Sequence, residues 1–321
     1  MATTLPPLNF LTRNPGYIDY RPAIDATGGL VVFERTPVGG DVSTLTAVAD
    51  FSHPQPKPFL SAPFAPPAQT RPDWCWKTGD LLFNGAATNN DSPSVWWLPN
   101  GAANLVSVPN TAGCDYPTWS LDGTSFVTEN NAGTPRPCNT IFDTSGTVTA
   151  ANIDGYASVD GSTGPWLFGG MPTVGPGDLP QIAFAGQPAV DGWGGSSGGY
   201  DQDMNYIFLN AVGSDSFICT PMETGASITT YDPSFQARAP AWSPDGSTIA
   251  FESGRSGQGY AIYLFDRASG SVTQVTDPRA GAQHAKFFPD GSKLILCAYY
   301  PNASPAPRGI AWVDISGLLK A

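Results

Sequence analysis

Polar turns and short, alternately polar and apolar stretches follow one another along the whole chain in a pattern that repeats. The clearest copy is Pro240-Ala-Trp-Ser-Pro-Asp-Gly-Ser-Thr-Ile-Ala-Phe-Glu252. Its residues describe a short strand, a tight Pro-Asp-Gly turn and a second, more apolar strand. The stretch therefore predicts a β-hairpin, and we use it as the template for the rest of the chain.

Five further copies of the template begin at Pro22, Pro72, Pro117, Pro172 and Ala285. The copy at Pro172 is one residue longer than the template and much degraded. Including the template, the six starts are separated by 50, 45, 55, 68 and 45 residues. A period of about 45 residues is that of a four-stranded propeller blade, because a solenoid repeat is shorter or helical.

Each blade needs two more strands after its hairpin. Residues 260–266 and 271–276 supply them after the template. After the sixth hairpin, residues 309–314 predict a third strand, but no convincing fourth follows. Residues 7–14 match the stretch that ends the fifth blade, so we expect them to complete the last blade and close the ring. The predicted fold is all-β, a six-bladed propeller of four-stranded antiparallel blades forming a single domain over residues 1–321.

Composition agrees with this fold and disfavours some classes of binding partner. Glycine (36) and proline (32) together exceed a fifth of the chain, and 13% of the residues are charged. Aromatic residues at 12% argue against disorder. A net charge of -12 disfavours nucleic acid and anionic membranes as partners. With no apolar run of about 18 residues, we expect a soluble protein, either secreted after loss of a signal peptide or cytoplasmic.

The cysteines are scattered without any Cys-x-x-Cys spacing, and there are only two histidines, so no structural metal is expected. Cys114 and Cys138 lie on either side of one hairpin copy and are the best candidates for a disulfide, with buried free thiols as the alternative. Asn90 and Asn302 begin glycosylation sequons that fit a secreted protein, although each sequon is followed by proline.

The Trp-Ser-Pro-Asp-Gly hairpins, followed by the Ile-Tyr-Leu-Phe-Asp strand at 262–266, resemble the WD40-like (PD40) repeats of TolB-type six-bladed β-propellers. The resemblance covers nearly the whole chain. It implies the fold but says little about function, because such blades occur in binding modules, in peptidases and in stand-alone enzymes.

Chemistry is expected where the copies of the template differ, since a residue that repeats in every blade is mostly scaffold. These places are the loops that lead into and out of each hairpin, around the central channel. Their candidate catalytic residues are Arg21, Glu252 and His284. Their candidate substrate-binding residues are Tyr20, Arg71, Trp74, Tyr116, Trp166, Trp193, Arg238 and Tyr299.

Several of these residues have two interpretations. Glu34, Glu129 and Glu252 share one template position and form either an acidic ring around the channel or strand ends paired with Arg21, Arg35 or Arg255. His284 is either a general acid or base with a pKa near neutrality or a hydrogen-bonded loop histidine. The aromatic residues of the loops wall a pocket or stack on sugars, whereas the template's Trp119 and Trp242 are expected to pack between blades.

The longest spacing contains a glycine-rich insertion at 191–203, which is expected to form a mobile loop that acts as a lid over one face. Asp201 and Asp203 within it are possible calcium ligands, but the spacing of an EF-hand loop is absent. The prediction is that the protein uses no metal.

Three functions are open at this point. The first is a small-molecule enzyme without a cofactor, catalysing a cyclisation or cycloaddition of apolar intermediates. Stand-alone propellers that catalyse hetero-Diels-Alder reactions are similar at the level of the fold only. The second is a lectin, and the third is a protein-interaction platform like TolB. Because the loop residues differ from blade to blade, one asymmetric site is favoured over a repeated one.

Overall fold

The computed structural model of the protein describes residues 4–60, 65–102, 104–132, 137–151, 153, 167–176, 181–188, 193, 202–211, 219–300 and 307–319. In these ranges the strands form six antiparallel sheets of four strands each, arranged as the blades of a β-propeller. The predicted fold class is confirmed.

The strand β1 (Asn9–Phe10) precedes the first blade, which contains β2 (Tyr17–Ile24), β3 (Val31–Pro37), β4 (Thr44–Val48) and β5 (Lys57–Pro58). The second blade contains β6 (Ala68–Trp74), β7 (Leu81–Ala86), β8 (Ser94–Leu98) and β9 (Val106–Ser107). The third contains β10 (Cys114–Trp119), β11 (Ser125–Asn130), β12 (Cys138–Asp143) and β13 (Val148–Ala151).

The fourth blade contains β14 (Leu167–Val174), β15 (Gln181–Pro188), β16 (Tyr206–Ala211) and β17 (Cys219–Pro221). The fifth contains β18 (Arg238–Trp242), β19 (Thr248–Ser253), β20 (Ala261–Asp266) and β21 (Val272–Gln274). The sixth contains β22 (Gln283–Phe287), β23 (Lys293–Tyr299) and β24 (Arg308–Asp314). Single 3-10 turns occur at Gln202–Met204, Pro233–Phe235 and Pro278–Ala280.

The chain closes its ring through β1. Asn9 pairs with Trp312 and Phe10 with Ala311, so β1 is the fourth strand of the sixth blade, beside β24. This pairing confirms the prediction for the N-terminal stretch. Closure leaves the last blade with four strands like the others and covers the edge of β24.

The template's apolar positions form the packing between blades. The phenylalanine of the second strand is fully buried at Phe33, Phe83, Phe184 and Phe251. Burial of one such side chain contributes about 2–3 kcal/mol. The turn between the two strands needs a positive φ, and Gly246 of the template supplies it at φ 73°. Across the described residues no helix is both long and apolar enough to span a membrane.

The predicted disulfide between Cys114 and Cys138 is wrong. No disulfide bond joins any of the five cysteines, all of which lie in the described residues and are buried. Cys114 and Cys138 both pair with Asn130, from opposite sides, so one whole strand separates them. Two strand spacings amount to about 9–10 Å, beyond the roughly 7 Å limit for the Cα atoms of a disulfide.

Candidate functional site

Every first strand has a β-bulge at the start of the template. The register shifts there by one residue, for example between Tyr20 and Ala23 in the first blade and between Gln283 and Lys286 in the sixth. Proline cannot donate to a strand ladder, so a bulge accommodates it. The first residue of each bulge has a φ between 42° and 52°. We call these six the bulge residues: Arg21, Arg71, Tyr116, Met171, Ala239 and His284.

The six bulge residues meet around one space on the propeller axis, which we call the central cavity. It encloses about 480 Å³, counting its open mouth. The residues that follow each bulge also line it, including Asp73, Thr118 and Lys286. One side of the cavity is polar, because it carries two arginines, a tyrosine and a histidine. The other side is apolar, because it carries Met171 and Ala239.

The two arginines of the cavity are held by carboxylates. Arg21 Nη1 lies 3.0 Å from Glu34 Oε2, and Arg21 Nη2 donates to Tyr116 Oη at 3.0 Å. Arg71 Nε lies 3.0 Å from Asp115 Oδ1. Both guanidinium groups also lie over the ring of Tyr116, with Arg71 at 4.5 Å from its centroid. These contacts fix the arginines in place, since bidentate and stacked guanidinium groups lose little further freedom.

A repeated hydrogen bond joins the first, second, third and fifth blades each to the next blade at the level of the bulges. A side chain on the second strand of one blade accepts the backbone N–H of the next blade's bulge residue. Glu34 accepts from Arg71 at 2.6 Å, and Glu252 accepts from His284 at 2.7 Å. The equivalent bonds in the second and third blades run from Tyr116 to Asn84 and from Met171 to Glu129. We call these bonds the inter-blade latches.

The latches decide between the two interpretations of the glutamates. Glu34, Glu129 and Glu252 are 3%, 8% and 0% exposed, so they do not form a solvated acidic ring. Glu34 pairs with Arg21 as one alternative predicted. Glu252 pairs instead with Arg238, at 2.6 Å, and Arg238 Nη1 also reaches Asp203 at 2.8 Å. The expected partners Arg35 and Arg255 bind Asp19 and Glu223.

His284 lies at the polar side of the cavity and is 9% exposed. Its ring meets Tyr20 edge-on at 4.7 Å and stacks against Tyr116 at 6.4 Å. Burial, and then the charges of Arg21 and Arg238, lower the pKa of His284 well below its ordinary value. The imidazole is therefore neutral at pH 7, and the expected pKa near neutrality is wrong. No hydrogen bond joins its ring nitrogens to any part of the chain that the structure describes.

A pair of carboxyl groups lies directly beside the polar side of the cavity. Asp115 and Glu129 are opposite each other on β10 and β11, and both are buried. Burial, followed by the charge of Asp115, raises the pKa of Glu129 to about 7. Burial also raises the pKa of Asp115, against the opposing charge of Arg71. Arg71 lies close to both, and the raised pKa values indicate that the pair holds a proton near neutral pH.

An ion pair forms the floor of the cavity. Lys286 Nζ lies 3.1 Å from Asp73 Oδ1, across the axis from the sixth blade to the second. Beyond the floor, on the side of the hairpin turns, a second cavity of about 770 Å³ is lined by Trp74, Trp119 and Trp242 among others. Trp119 and Trp242 are 4% and 8% exposed, and both pack in apolar clusters.

The structure brings together most of the candidate site residues that were predicted from the sequence. Those at or next to the central cavity are Tyr20, Arg21, Arg71, Tyr116, Arg238, Glu252 and His284. Tyr299 lies at the mouth and is 37% exposed. Trp74 lies beyond the floor, where it meets Phe59 at 6.0 Å. Trp193 lies in the core at 1% exposed, packed on Tyr206 at 4.7 Å. Trp166 is outside the described residues.

Sequence reasoning missed Met171, Ala239, Asp73 and Lys286. The first two could have been found, because each directly precedes a template proline, the position of every bulge residue except His284, which precedes Ala285. Asp73 and Lys286 follow that position by two residues, and only the ring brings them together.

The remaining candidates concern metals and modification. Within the described ranges, no group of three or more His, Cys, Asp or Glu side chains has the geometry to hold a metal ion. Asp203, one of the two calcium candidates, binds Arg238 and Tyr260 through its carboxylate. Asp201, most of the glycine-rich insertion expected to form the lid, and Asn302 lie outside the described residues. Asn90 is exposed.

Comparison with known proteins places the fold among propellers of mixed function. No family model matches the chain. An uncharacterized peptidase, YuxL of Bacillus subtilis (strain 168), is 31% identical over 74 residues, which are 23% of this chain and 11% of that protein. The chain thus matches only about a ninth of the length of this relative, and its peptidase activity does not transfer.

Solved structures match over nearly the whole chain. A protein of unknown function from Dyadobacter fermentans has a TM-score of 0.62 at 13% identity, covering 97% of this chain and 98% of its own. A putative TolB from Agrobacterium tumefaciens has a TM-score of 0.57 at 16% identity, covering 82% of each chain.

An oligogalacturonate lyase from Vibrio parahaemolyticus has a TM-score of 0.55 at 12% identity, covering 99% of this chain and 96% of its own. At such identities the likeness concerns the fold alone, because one propeller fold serves many functions. The six blades, the template hairpins and these neighbours together show that the chain has the fold of the TolB-type six-bladed β-propellers.

Proposed function

We propose that the protein binds one small amphiphilic molecule in its central cavity and catalyses a cyclisation of it. The observation that carries this proposal is the asymmetry of the bulge residues. Six equivalent positions converge on one space, yet they carry two arginines and four other residue types. A symmetric scaffold with asymmetric residues at its axis favours one binding site over six repeated ones.

The polarity of the cavity supports an amphiphilic ligand. Arg71 makes one hydrogen bond through its guanidinium among the described residues, to Thr70 Oγ1 at 3.2 Å. Its other N–H groups, together with the imidazole of His284, are suited to an oxygen acceptor on the ligand. Met171 and Ala239 across the cavity are suited to an apolar body.

The reaction we infer is an intramolecular cycloaddition of hetero-Diels-Alder type on an apolar, unsaturated intermediate. Such a reaction needs the two reacting parts held in contact and a donor for the oxygen on which charge develops. The cavity supplies an enclosed space and fixed arginine donors. No step requires an acid or base with a pKa near 7, which agrees with the neutral state of His284.

Crystals soaked with a simple enone, benzylideneacetone, and separately with galactose test the site. Density for the enone at one position on the axis is the expected result. Galactose at several equivalent positions on the rim would instead favour a lectin. Density at neither place would leave the protein-interaction platform as the better explanation.

Catalysis is tested with a substrate that carries a 1-oxadiene and an alkene on one tether. We expect wild-type protein to accelerate its cyclisation and Arg71→Met to lose about 100-fold of that acceleration, as on removal of an oxyanion donor. Arg279→Met is the matched control, because that arginine is 83% exposed and paired with Asp277 on the surface. Equal rates with and without protein would refute the reaction but not the binding site.

A further inference from the structure

Arginine and tyrosine side chains alternate around the mouth of the central cavity and form a continuous stack. Each guanidinium carbon lies 4.2–5.4 Å from the centroid of a neighbouring tyrosine ring. In spatial order the stack is Tyr299, Arg308, Tyr20, Arg21, Tyr116 and Arg71. It brings together residues of the first, second, third and sixth blades, an arrangement that no repeat in the sequence marks.

The three arginines of this stack differ in their counter-charges. Arg21 and Arg71 each have a carboxylate within 3.0 Å, from Glu34 and Asp115. Arg308 has none in the parts of the chain that the structure describes. The residues just before it in sequence, 301–306, include no aspartate or glutamate.

Arg308 is nevertheless held in a fixed orientation. Its Nη1 donates to the carbonyl oxygen of Gly281 at 2.7 Å, and its Nη2 donates to Tyr299 Oη at 3.0 Å. The rings of Tyr299 and Tyr20 lie 4.2 and 5.4 Å from its guanidinium carbon. A guanidinium has five N–H donors, and three of them have no acceptor among the residues that the structure describes.

The thiol of Cys297 does not take the place of a carboxylate beside Arg308. Burial raises the pKa of the nearby Cys297 thiol to about 12, so this thiol is neutral at pH 7. A partly buried cation without a counter-charge is costly, and a bound anion removes that cost. The chain as a whole carries a net charge of -12 and repels anions, so an unpaired arginine beside a cavity marks a specific place for one.

We propose that Arg308 binds the carboxylate group of a small ligand whose body lies in the central cavity. This inference rests on the proposed function and adds the ligand's class to it. Arg308 and His284 both contact the ring of Tyr20, so one aromatic ring separates the anion site from the cavity wall. A single planar guanidinium matches a singly charged carboxylate in two-point contact.

The test uses trans-cinnamate and its neutral analogue trans-cinnamamide as probes, with the full chain at pH 7 and isothermal titration calorimetry. We expect wild type to bind cinnamate at least 10-fold more tightly than cinnamamide. Arg308→Gln is expected to abolish this preference and to leave the affinity for cinnamamide unchanged. Arg279→Gln is the matched control, since the side chain of Arg279 is exposed to solvent and paired with Asp277, and this variant should retain the preference.

The outcomes distinguish a failure of this inference from a failure of the proposed function. If wild type binds both probes equally, or Arg308→Gln keeps the preference, the anion site is refuted while binding in the cavity stands. If wild type binds neither probe, both proposals fail. Should Arg308→Gln unfold, Arg308→Lys keeps the charge without the planar fork. We expect it to bind cinnamate several-fold more weakly than wild type, and an unchanged preference in this variant would count against two-point contact.

Discussion

Within each first strand, the residues at the turn end repeat from blade to blade, whereas the bulge residues three positions earlier do not. Trp74, Trp119 and Trp242 occupy one template position beyond the cavity floor. The bulge residues of the same three strands are Arg71, Tyr116 and Ala239. The same hairpin therefore supports conserved packing at one end and a variable surface at the other.

The two ends differ because their side chains contact different parts of the molecule. At the turn end, Asp245 accepts from Ser243 Oγ at 2.6 Å and from the N–H of Ser247 at 3.0 Å, both within its own turn. A contact that stays within one blade has the same geometry in every blade, so the same residue types recur there. At the bulges, the contacts run between blades and across the axis, where only one copy of the space exists.

The largest effect is expected at the inter-blade latches. Glu252→Ala removes the carboxylate that holds both Arg238 and the N–H of His284 in a fully buried site. Arg238 keeps its contact with Asp203, but its buried Nε and the N–H of His284 lose their acceptor, which is expected to lower the free energy of unfolding by about 3–5 kcal/mol. Urea unfolding measures it. Arg279→Ala, which breaks an exposed ion pair, should show no measurable change, and a similarly small loss for Glu252→Ala would contradict the latch as a stabilising element.

A glycine makes one of these latches possible. A Cβ added at Gly170 would lie 2.2 Å from Glu129 Oε2, the atom that accepts the N–H of Met171. Gly170→Ala is therefore expected to cost about 1–3 kcal/mol by overpacking. Gly317→Ala is the matched control, because nothing lies within 4 Å of its Cβ position. Equal midpoints in urea for the two variants would show that the Glu129 side chain moves without cost.

The carboxyl pair predicts a dependence of stability on pH. Burial raises the pKa of Glu129 to about 7 in the folded protein, above its ordinary value of 4.5. The folded state then binds more protons than the unfolded state between these values, so this group's contribution is fully present below pH 4.5 and is lost as pH rises through about 7.

Glu129→Gln removes that loss while an amide oxygen still accepts the N–H of Met171. Its stability relative to wild type is expected to rise by about 1–3 kcal/mol between pH 4.5 and pH 8. Unfolding in urea at a series of pH values measures the difference. A difference independent of pH would place the shared proton elsewhere, with Asp115 as the remaining member of the pair.

The smallest effects are expected at the repeated turns, and they should be alike. Asp122→Ala and Asp245→Ala each remove a carboxylate that accepts hydrogen bonds from its own turn. Each is expected to cost about 1 kcal/mol. Hydrogen bonds lower the pKa of both carboxyls, so the cost is present at pH 7 and disappears as the pH falls below their ordinary range. Urea unfolding measures both losses. Clearly different losses for the two variants would contradict the equivalence of the blades at their turn ends.

The sequence predicted the scaffold well because its contacts are local. The Pro-Asp-Gly turn, the apolar second strand and the period of about 45 residues depend on neighbours within one blade. The closing strand followed from counting, since the last blade was one strand short. The disulfide failed because flanking a hairpin in sequence did not reveal that β11 lies between the two cysteines.

The candidate site was predicted in part. The residue before each template proline was a usable signal, and it included Arg21, Arg71 and Tyr116. Trp193 looked like a loop aromatic, but Tyr206 and Tyr231 enclose it in the core of the fourth blade. The neutral state of His284 depends on arginines from several blades, so it could not be predicted from any one stretch of the sequence.

By itself the sequence determined the six blades, their hairpins and the places where the copies differ, because turn chemistry and the alternation of polar and apolar residues act over a few neighbouring positions. Only the tertiary structure decided which of those places share one space. The ring brings Lys286 to Asp73 and Arg308 to Tyr20 across more than 200 residues of chain. Charge pairing and burial are set by distances in space, and these are known only once the blades have closed around their axis.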